Sequence, residues 1–193
     1  MNFDNYTIRA QETIQKAIQL AQGNGQQIVD TGHLLKAVLV ADENVTSFLT
    51  KKLGVNQQML MPVLDKVIEG YAKSSGTQPS LSNASNSTLY KSESFLKEFG
   101  DDYVAVEHIL LAILAGNDDA SRLLKDAGFR KKELVAAIKE LRGGESVKDQ
   151  NAESKYRSLE KFSINLNDQA KAGKIDPVIG RDEEVRRLLQ ILS

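Results

Sequence analysis

Residues 31–49, TGHLLKAVLVADENVTSFL, and residues 106–124, VEHILLAILAGNDDASRLL, carry one pattern twice. His33 falls opposite His108, Leu35 opposite Leu110, Ala37 opposite Ala112 and Leu39 opposite Leu114. Past a one-residue gap, LGVNQQMLMPVLDKV (53–67) continues against AGFRKKELVAAIKEL (127–141), with Gly54 opposite Gly128 and Leu60 opposite Leu134. Upstream, Gly25 meets Gly100, Ile14 meets Leu89 and Ala21 meets Leu96. Self-similarity at a fixed spacing marks a structural unit used twice, each copy about 65 residues long and needing its neighbour to cover its apolar face.

Within each copy the apolar period is helical. Ala10, Ile14, Ala17, Ile18 and Ala21 form one stripe, closed by Gly23 and Gly25. Thr31 is a suitable N-cap for a second helix bearing Leu34, Leu35, Val38 and Leu39. Shorter helices are expected at Val45–Lys52 and Gln57–Tyr71, broken at Gly54, and the second copy repeats the order. No stretch sustains a period of two, so strands are not expected and the fold class is all-α.

Two stretches interrupt this pattern. SSGTQPSLSNASNS (74–87) is too polar to bury itself and reads as the loop between copies. GGESVKDQNAES (143–154) reads as a second polar connection, with almost nothing to bury. Beyond it, YRSLEKFSINLNDQAKAG (156–173) places Leu159, Phe162 and Leu166 on one side of a helix ending at Gly173. In KIDPVIGRDEEVRRLLQILS (174–193), Pro177 bars helix at Asp176 and Gly180 permits a turn. Asp182 can cap the helix that follows, whose Val185, Leu188, Leu189 and Leu192 share a face.

Composition narrows the function. With 193 residues, 41% hydrophobic and 26% charged, the chain is of ordinary soluble globular type. A net charge of −1 offers no general attraction to nucleic acid or to an anionic membrane surface. There are no cysteines, which excludes disulfides and thiolate chemistry. The start MNFDNYTIRA has no apolar signal region, and the stretch around HILLAILAG is too short to span a bilayer. A cytoplasmic location is the expectation.

Catalytic patterns are missing. His33 and His108 occupy equivalent places near helix starts, which favours a shared polar contact at the helix end over metal ligation. No G-x-S-x-G elbow and no G-x-x-x-x-G-K-[ST] phosphate loop occurs, so no catalytic residue and no metal ligand is assigned. Arg130, Lys131, Lys132 and Arg142 read as the solvated face of a helix.

The paired H-[LI]-L-x-A-[VI]-L helices, at 33–39 and 108–114, and the [AL]-G turns at Gly54 and Gly128 resemble the double N-terminal domain of the Clp/heat-shock AAA+ unfoldases. The run from LRGGESVKDQNAE to RRLLQILS (141–193) is similar, more narrowly, to the protein-disaggregase branch of that family, where it joins the N-terminal domain to the first ATPase domain. The resemblance implies two tandem helical Clp-N repeats packed with pseudo-twofold symmetry over 1–142. Repeat one is then 1–73, the inter-repeat loop 74–87 and repeat two 88–142. A flexible linker (143–155) and the truncated start of an AAA+ domain (156–193) follow.

The implied function is recruitment. Such a module binds exposed hydrophobic segments of unfolded or aggregated proteins and delivers them to an ATP-driven ring. The alternative is an adaptor-docking domain of a protease-associated unfoldase. The fragment itself is then no enzyme and holds no cofactor, while ATP and Mg²⁺ belong to the parent protein, where Val178 and Ile179 lie beside the adenine. The parent is implied to be a homohexamer cooperating with an Hsp70-type chaperone. By alignment, the family's hydrophobic substrate groove falls on Thr7, Lys91, Phe95, Asp101 and Glu107, with Lys91 replacing an apolar residue. Phe95 is expected at the edge of a helix 89–99 whose core stripe is Leu89, Ser92, Leu96 and Phe99, about 80° from the stripe's centre. Asp101 and Glu107 are expected to favour basic flanks on a substrate.

Overall fold

The computed structural model describes residues 3–41, 43–74, 79–155, 166–175 and 180–192. The chain forms two units, 1–157 and 158–193, each described by itself. Repeat one consists of α1 (Ile8–Gly23), β1 (Ile28–Val29), α2 (Thr31–Ala41), α3 (Glu43–Lys52) and α4 (Gln57–Glu69). Repeat two consists of β2 (Ser80–Leu81), α5 (Asn83–Glu93), α6 (Leu96–Phe99), α7 (Val106–Leu114), α8 (Asp119–Asp126) and α9 (Lys131–Arg142). A 3₁₀ turn at Ala152–Lys155 closes the unit.

Helix α1 buries Ala10, Thr13, Ile14, Ala17 and Ala21. Its small residues let α2 lie close against it, and α2 in turn meets α7 at the centre. All nine residues of α7 are buried. A helix apolar on every side has to be wrapped by others, and α1, α2, α5, α8 and α9 supply that wrapping.

The two copies are tied by a reciprocal exchange. Strand β1 pairs in parallel with β2, Val29 opposite Leu81. Tyr6 makes the matching parallel bridge to Val104. The Thr7 N–H donates to the Val104 carbonyl at 2.9 Å, and the Ser82 N–H donates to the Val29 carbonyl at 3.0 Å. Each repeat's entry segment thus pairs with the other repeat's strand. Local chemistry repeats in step. Thr7 Oγ1 accepts from the Ala10 N–H and Ser82 Oγ from the Ser85 N–H, so both entry helices are side-chain capped. Gly25 and Gly100 both turn the chain at φ +69°, where a side chain would be strained. The fold is all-α, with these two-residue strands too short to leave an alternating pattern in the sequence.

The histidines occupy one role. His33 Nδ1 accepts the Asp30 N–H at 3.0 Å and His108 Nδ1 accepts the Ala105 N–H at 2.9 Å, each reaching back to the residue before its helix. Nε2 therefore carries the hydrogen in both, meeting Gln26 Oε1 at 2.8 Å and Asp101 Oδ2 at 3.0 Å.

Three expectations are corrected. The loop expected over 74–87 gives way to β2 at Ser80, and α5 begins at Asn83. Serines that look solvated act instead as cap and buried bond, with Ser85 Oγ donating to the Val29 carbonyl at 2.7 Å. The continuous helix expected over 89–99 breaks at Ser94–Phe95. Ser92 Oγ and Ser94 Oγ donate to the carbonyls of Leu89 and Lys91, the local bonding by which serine competes with the helix. The flexible linker expected over 143–155 is docked. Val147 is fully buried, its N–H donates to Asp101 Oδ1 at 2.7 Å, and its carbonyl accepts from the Asp102 N–H at 2.9 Å. The Gln150 carbonyl accepts the Ile8 N–H at 2.9 Å. Val147, Ala152, Glu153 and a few backbone groups suffice because both repeats present partners for them.

In the second unit, α10 (Leu166–Lys171) precedes α11 (Asp182–Leu192). Helix α11 opens with Asp182, Glu183 and Glu184, which favour a helix N-terminus. Val185, Leu188, Leu189 and Ile191 are exposed. Leu159, Phe162, Asp176, Pro177, Val178 and Ile179 lie outside the described residues.

Burial pushes the His33 imidazole below its ordinary value of 6.5. Unfolding then takes up a proton that the native state refuses, so this histidine's contribution to stability is present above that value and is lost as pH falls below it. Differential scanning calorimetry should show a steeper loss of Tm between pH 6.5 and 5 for the wild type than for His33→Gln. At neutral pH the variant should be less stable by about 1–3 kcal/mol, since it leaves buried partners unpaired.

Candidate functional site

Repeat two departs from repeat one at a buried charged cluster. Gly100 turns the chain so that Asp101 sits where Gln26 sits in repeat one. Gln26 is neutral and donates through Nε2 to the Ile68 carbonyl at 2.6 Å, near the end of α4. At the corresponding end of α9 stands Arg142, whose Nη1 donates to Asp101 Oδ2 at 2.6 Å and whose Nε donates to Glu107 Oε1 at 2.9 Å. The guanidinium also lies 4.7 Å from the centre of the Phe99 ring. Asp101, Glu107, His108 and Arg142 are all buried. Burial alone would raise Asp101, but hydrogen bonds from His108, the Val147 N–H and Arg142 outweigh it and hold the carboxyl below its ordinary range.

The N-terminus of α7 shows a second departure. In repeat one, Asp30 Oδ1 accepts the N–H of Thr31, the first residue of α2, at 2.9 Å. The corresponding residue before α7 is Ala105, which has no acceptor. Glu153, from the docked segment, fills the vacancy: its Oε1 accepts the Val106 N–H at 2.8 Å. Burial, then the nearby Glu107 carboxylate, push Glu153 up to about 7 against the pull of Thr7, the Val106 N–H and Arg9.

The five residues expected to line a groove fall in different places. Thr7 is fully buried as the cap of α1. Asp101 and Glu107 come together, but on Arg142, so neither carboxylate is presented to a basic substrate flank. Phe95 is 5% exposed and belongs to the core, with Lys131 Nζ 5.0 Å from its ring centre. Lys91 is exposed and donates to the Ala115 carbonyl at the far end of α7 from Glu107, roughly 13 Å along a nine-residue helix. Thr7, Asp101 and Glu107 therefore gather around the start of α7, and Lys91 and Phe95 lie elsewhere.

Arg142, expected on a solvated face, is 5% exposed. Its repeat-one counterpart, continuing the pairing of Val67 with Leu141, is Ile68, and that apolar partner was the available signal of burial. Nothing in the sequence marked Val147 or Glu153. Between the repeats, beside Glu107, runs a narrow apolar crevice of about 10 Å³, lined by Val38, Val45, Leu49, Val106, Leu110 and Phe129. Among the described residues no helix is long and apolar enough to cross a membrane.

A helical unit used twice, with the entry segment of each copy paired to the other copy, defines a tandem helical-repeat domain. Residues 5–127 match the family described as the Clp repeat (R) N-terminal domain, and the chain belongs to that family. It is 53% identical over 193 residues to the chaperone protein ClpB of Bacteroides thetaiotaomicron and 48% identical to that of Porphyromonas gingivalis. Each alignment covers 100% of this chain and 22% of the relative, so the chain spans about a fifth of the length of these curated relatives. The Hsp104 N-terminal domain from Candida albicans has the same fold, with a TM-score of 0.67 at 21% identity over 77% of this chain and 99% of that one.

Arg142→Met should cost roughly 3–5 kcal/mol, because it leaves two buried carboxylates without their cation. Phe95→Ala should cost about as much through the cavity it opens. Urea denaturation followed by circular dichroism measures both, and a loss below 1 kcal/mol for Phe95→Ala would place that ring at a surface instead of in the core.

Proposed function

We propose that the chain is the N-terminal substrate-recruiting module of an ATP-dependent protein disaggregase, and that it binds exposed hydrophobic segments of unfolded or aggregated proteins. The observation that carries this reading is the alignment of the whole chain, residues 128–193 included, with ClpB chaperones at 53% and 48% identity. Residues past the shared Clp repeats are where an adaptor-docking domain of a protease-associated unfoldase would be expected to diverge. ATP and Mg²⁺ then act in the remainder of a longer protein, in which Val178 and Ile179 approach the adenine. That protein works as a cytoplasmic homohexamer with an Hsp70-type partner.

Within the domain, the binding end is assigned to the start of α7. There the apolar seam of Val38, Val45, Val106 and Leu110 meets Glu107, which Arg142 ties to Asp101. Apolar contact is non-directional and accepts many sequences, which suits a recruiter of unfolded chains. A seam this narrow gives shallow, weak contact, and weak contact releases quickly for handover.

Val45, at 9%, is the most exposed apolar residue lining the seam, and a lysine there can extend its charged end toward water. Val45→Lys should therefore weaken binding of reduced, carboxymethylated lactalbumin by fivefold or more in fluorescence anisotropy, with Tm nearly unchanged. Lys91→Ala, at the opposite end of α7, should leave that affinity as it is. Loss of binding in Lys91→Ala but not in Val45→Lys would move the site. Isothermal titration with ATP and Mg²⁺ should give no micromolar binding to the 193-residue chain, since it lacks a phosphate loop.

A further inference from the structure

We propose that residues 146–153 are a detachable strap that occupies the substrate-binding end of the domain and has to lift before an unfolded segment can bind. The proposal rests on the assignment of that end to the start of α7. The strap touches the same groups: the Val147 N–H holds Asp101 Oδ1, Glu153 holds the Val106 N–H, and Glu153 lies beside Glu107 and Thr7. Glu153 and Arg9 line a second small crevice that shares Val38, Val45, Thr46, Val106 and Glu107 with the first. A segment entering the seam at this end would meet the strap first.

The strap is built to leave. Val147 and Ala152 are the only apolar side chains between residues 143 and 155, so little hydrophobic area holds it. Gly143 and Gly144, at φ +62° and +87°, form a hinge at the end of α9 that needs no rearrangement of the helix. Repeat one needs no such strap, because Asp30 caps α2 from within. Ala105 removes that internal cap from α7 and makes the start of the helix depend on a group that can depart.

Its grip responds to pH. Glu153 faces Glu107 on α7, which opposes its charge, and Arg9 and Thr7 on α1 and at its cap, which favour it, while Arg142 on α9 is engaged with Glu107. A docked carboxyl that holds its proton up to about 7, against 4.5 when free, makes docking take up a proton between those values. The docked state is thus favoured at low pH and weakened, by up to about tenfold per pH unit within that window, as pH rises.

The test uses the full 193-residue chain. Docking is read from amide protection factors of Val147 and Ile8, and binding from fluorescence anisotropy with reduced, carboxymethylated lactalbumin. Val147→Asp should lose protection at both amides and bind the unfolded probe at least threefold more tightly. Glu153→Gln, which keeps an acceptor for the Val106 N–H without the charge, should stay protected to pH 8 and bind more weakly at that pH than the wild type. If Val147→Asp is unprotected yet binds as the wild type does, while Val45→Lys still loses binding, the strap proposal is overturned and the site assignment stands. If Val45→Lys and Val147→Asp both leave affinity unchanged, the site assignment fails and the strap falls with it. Protection of wild-type Val147 equal to that of the core amide of Leu111 would show that the segment leaves only on global unfolding, and would also overturn it.

Discussion

The structure of the first unit depends on the reciprocal pairing in which Tyr6 lies against Val104 and Val29 against Leu81. Neither pairing involves more than a few backbone bonds. Their effect comes from topology, because each repeat's first helix is held in place by a strand of the other. Helix α7 is buried at all nine positions and α2 at eight of eleven, so neither can face water in a separated repeat. Exchange of the entry segments fixes the one orientation in which α2 and α7 cover each other, and the pseudo-twofold symmetry follows from it.

On that symmetric frame, asymmetry locates the chemistry. Where the two copies agree, at the histidine bonds, the glycine turns and the side-chain caps, the residues serve folding. Where they differ, Gln26 becomes Asp101, Ile68 becomes Arg142 and Asp30 becomes Ala105. A neutral tie between a loop and a helix end is thereby converted to a buried ionic cluster. Such a cluster is a poor source of stability, since its desolvation offsets most of its attraction, but it holds one geometry firmly. It holds the start of α7 in one place and presents Asp101 Oδ1 to the Val147 N–H.

That return is the point at which composition misleads. GGESVKDQNAES has the makeup of a free tether, and its residues are individually indifferent to burial. Its docking uses the acceptors and donors of Asp101, Asp102, Ile8 and Val106, drawn from both repeats. A segment can therefore be polar in composition and ordered at once.

The sequence by itself determined the duplication, the helical class, the paired histidines and the glycine turns. Each depends on side-chain type at a fixed local spacing, and local spacing is what a sequence displays. Arg142 was half legible, through its alignment with Ile68. The positions of Thr7, Phe95 and Lys91 relative to Glu107 were decided only in three dimensions. The break at Ser94–Phe95 turned one expected helix into two, and the length of α7 set Lys91 apart from the rest. Val147 and Glu153 were invisible until the fold brought residues 45 or more positions apart into contact, as with Val147 on Asp101 and Glu153 on Val106. Long-range partners of isolated polar groups leave no periodic trace, so only the tertiary structure could assign them.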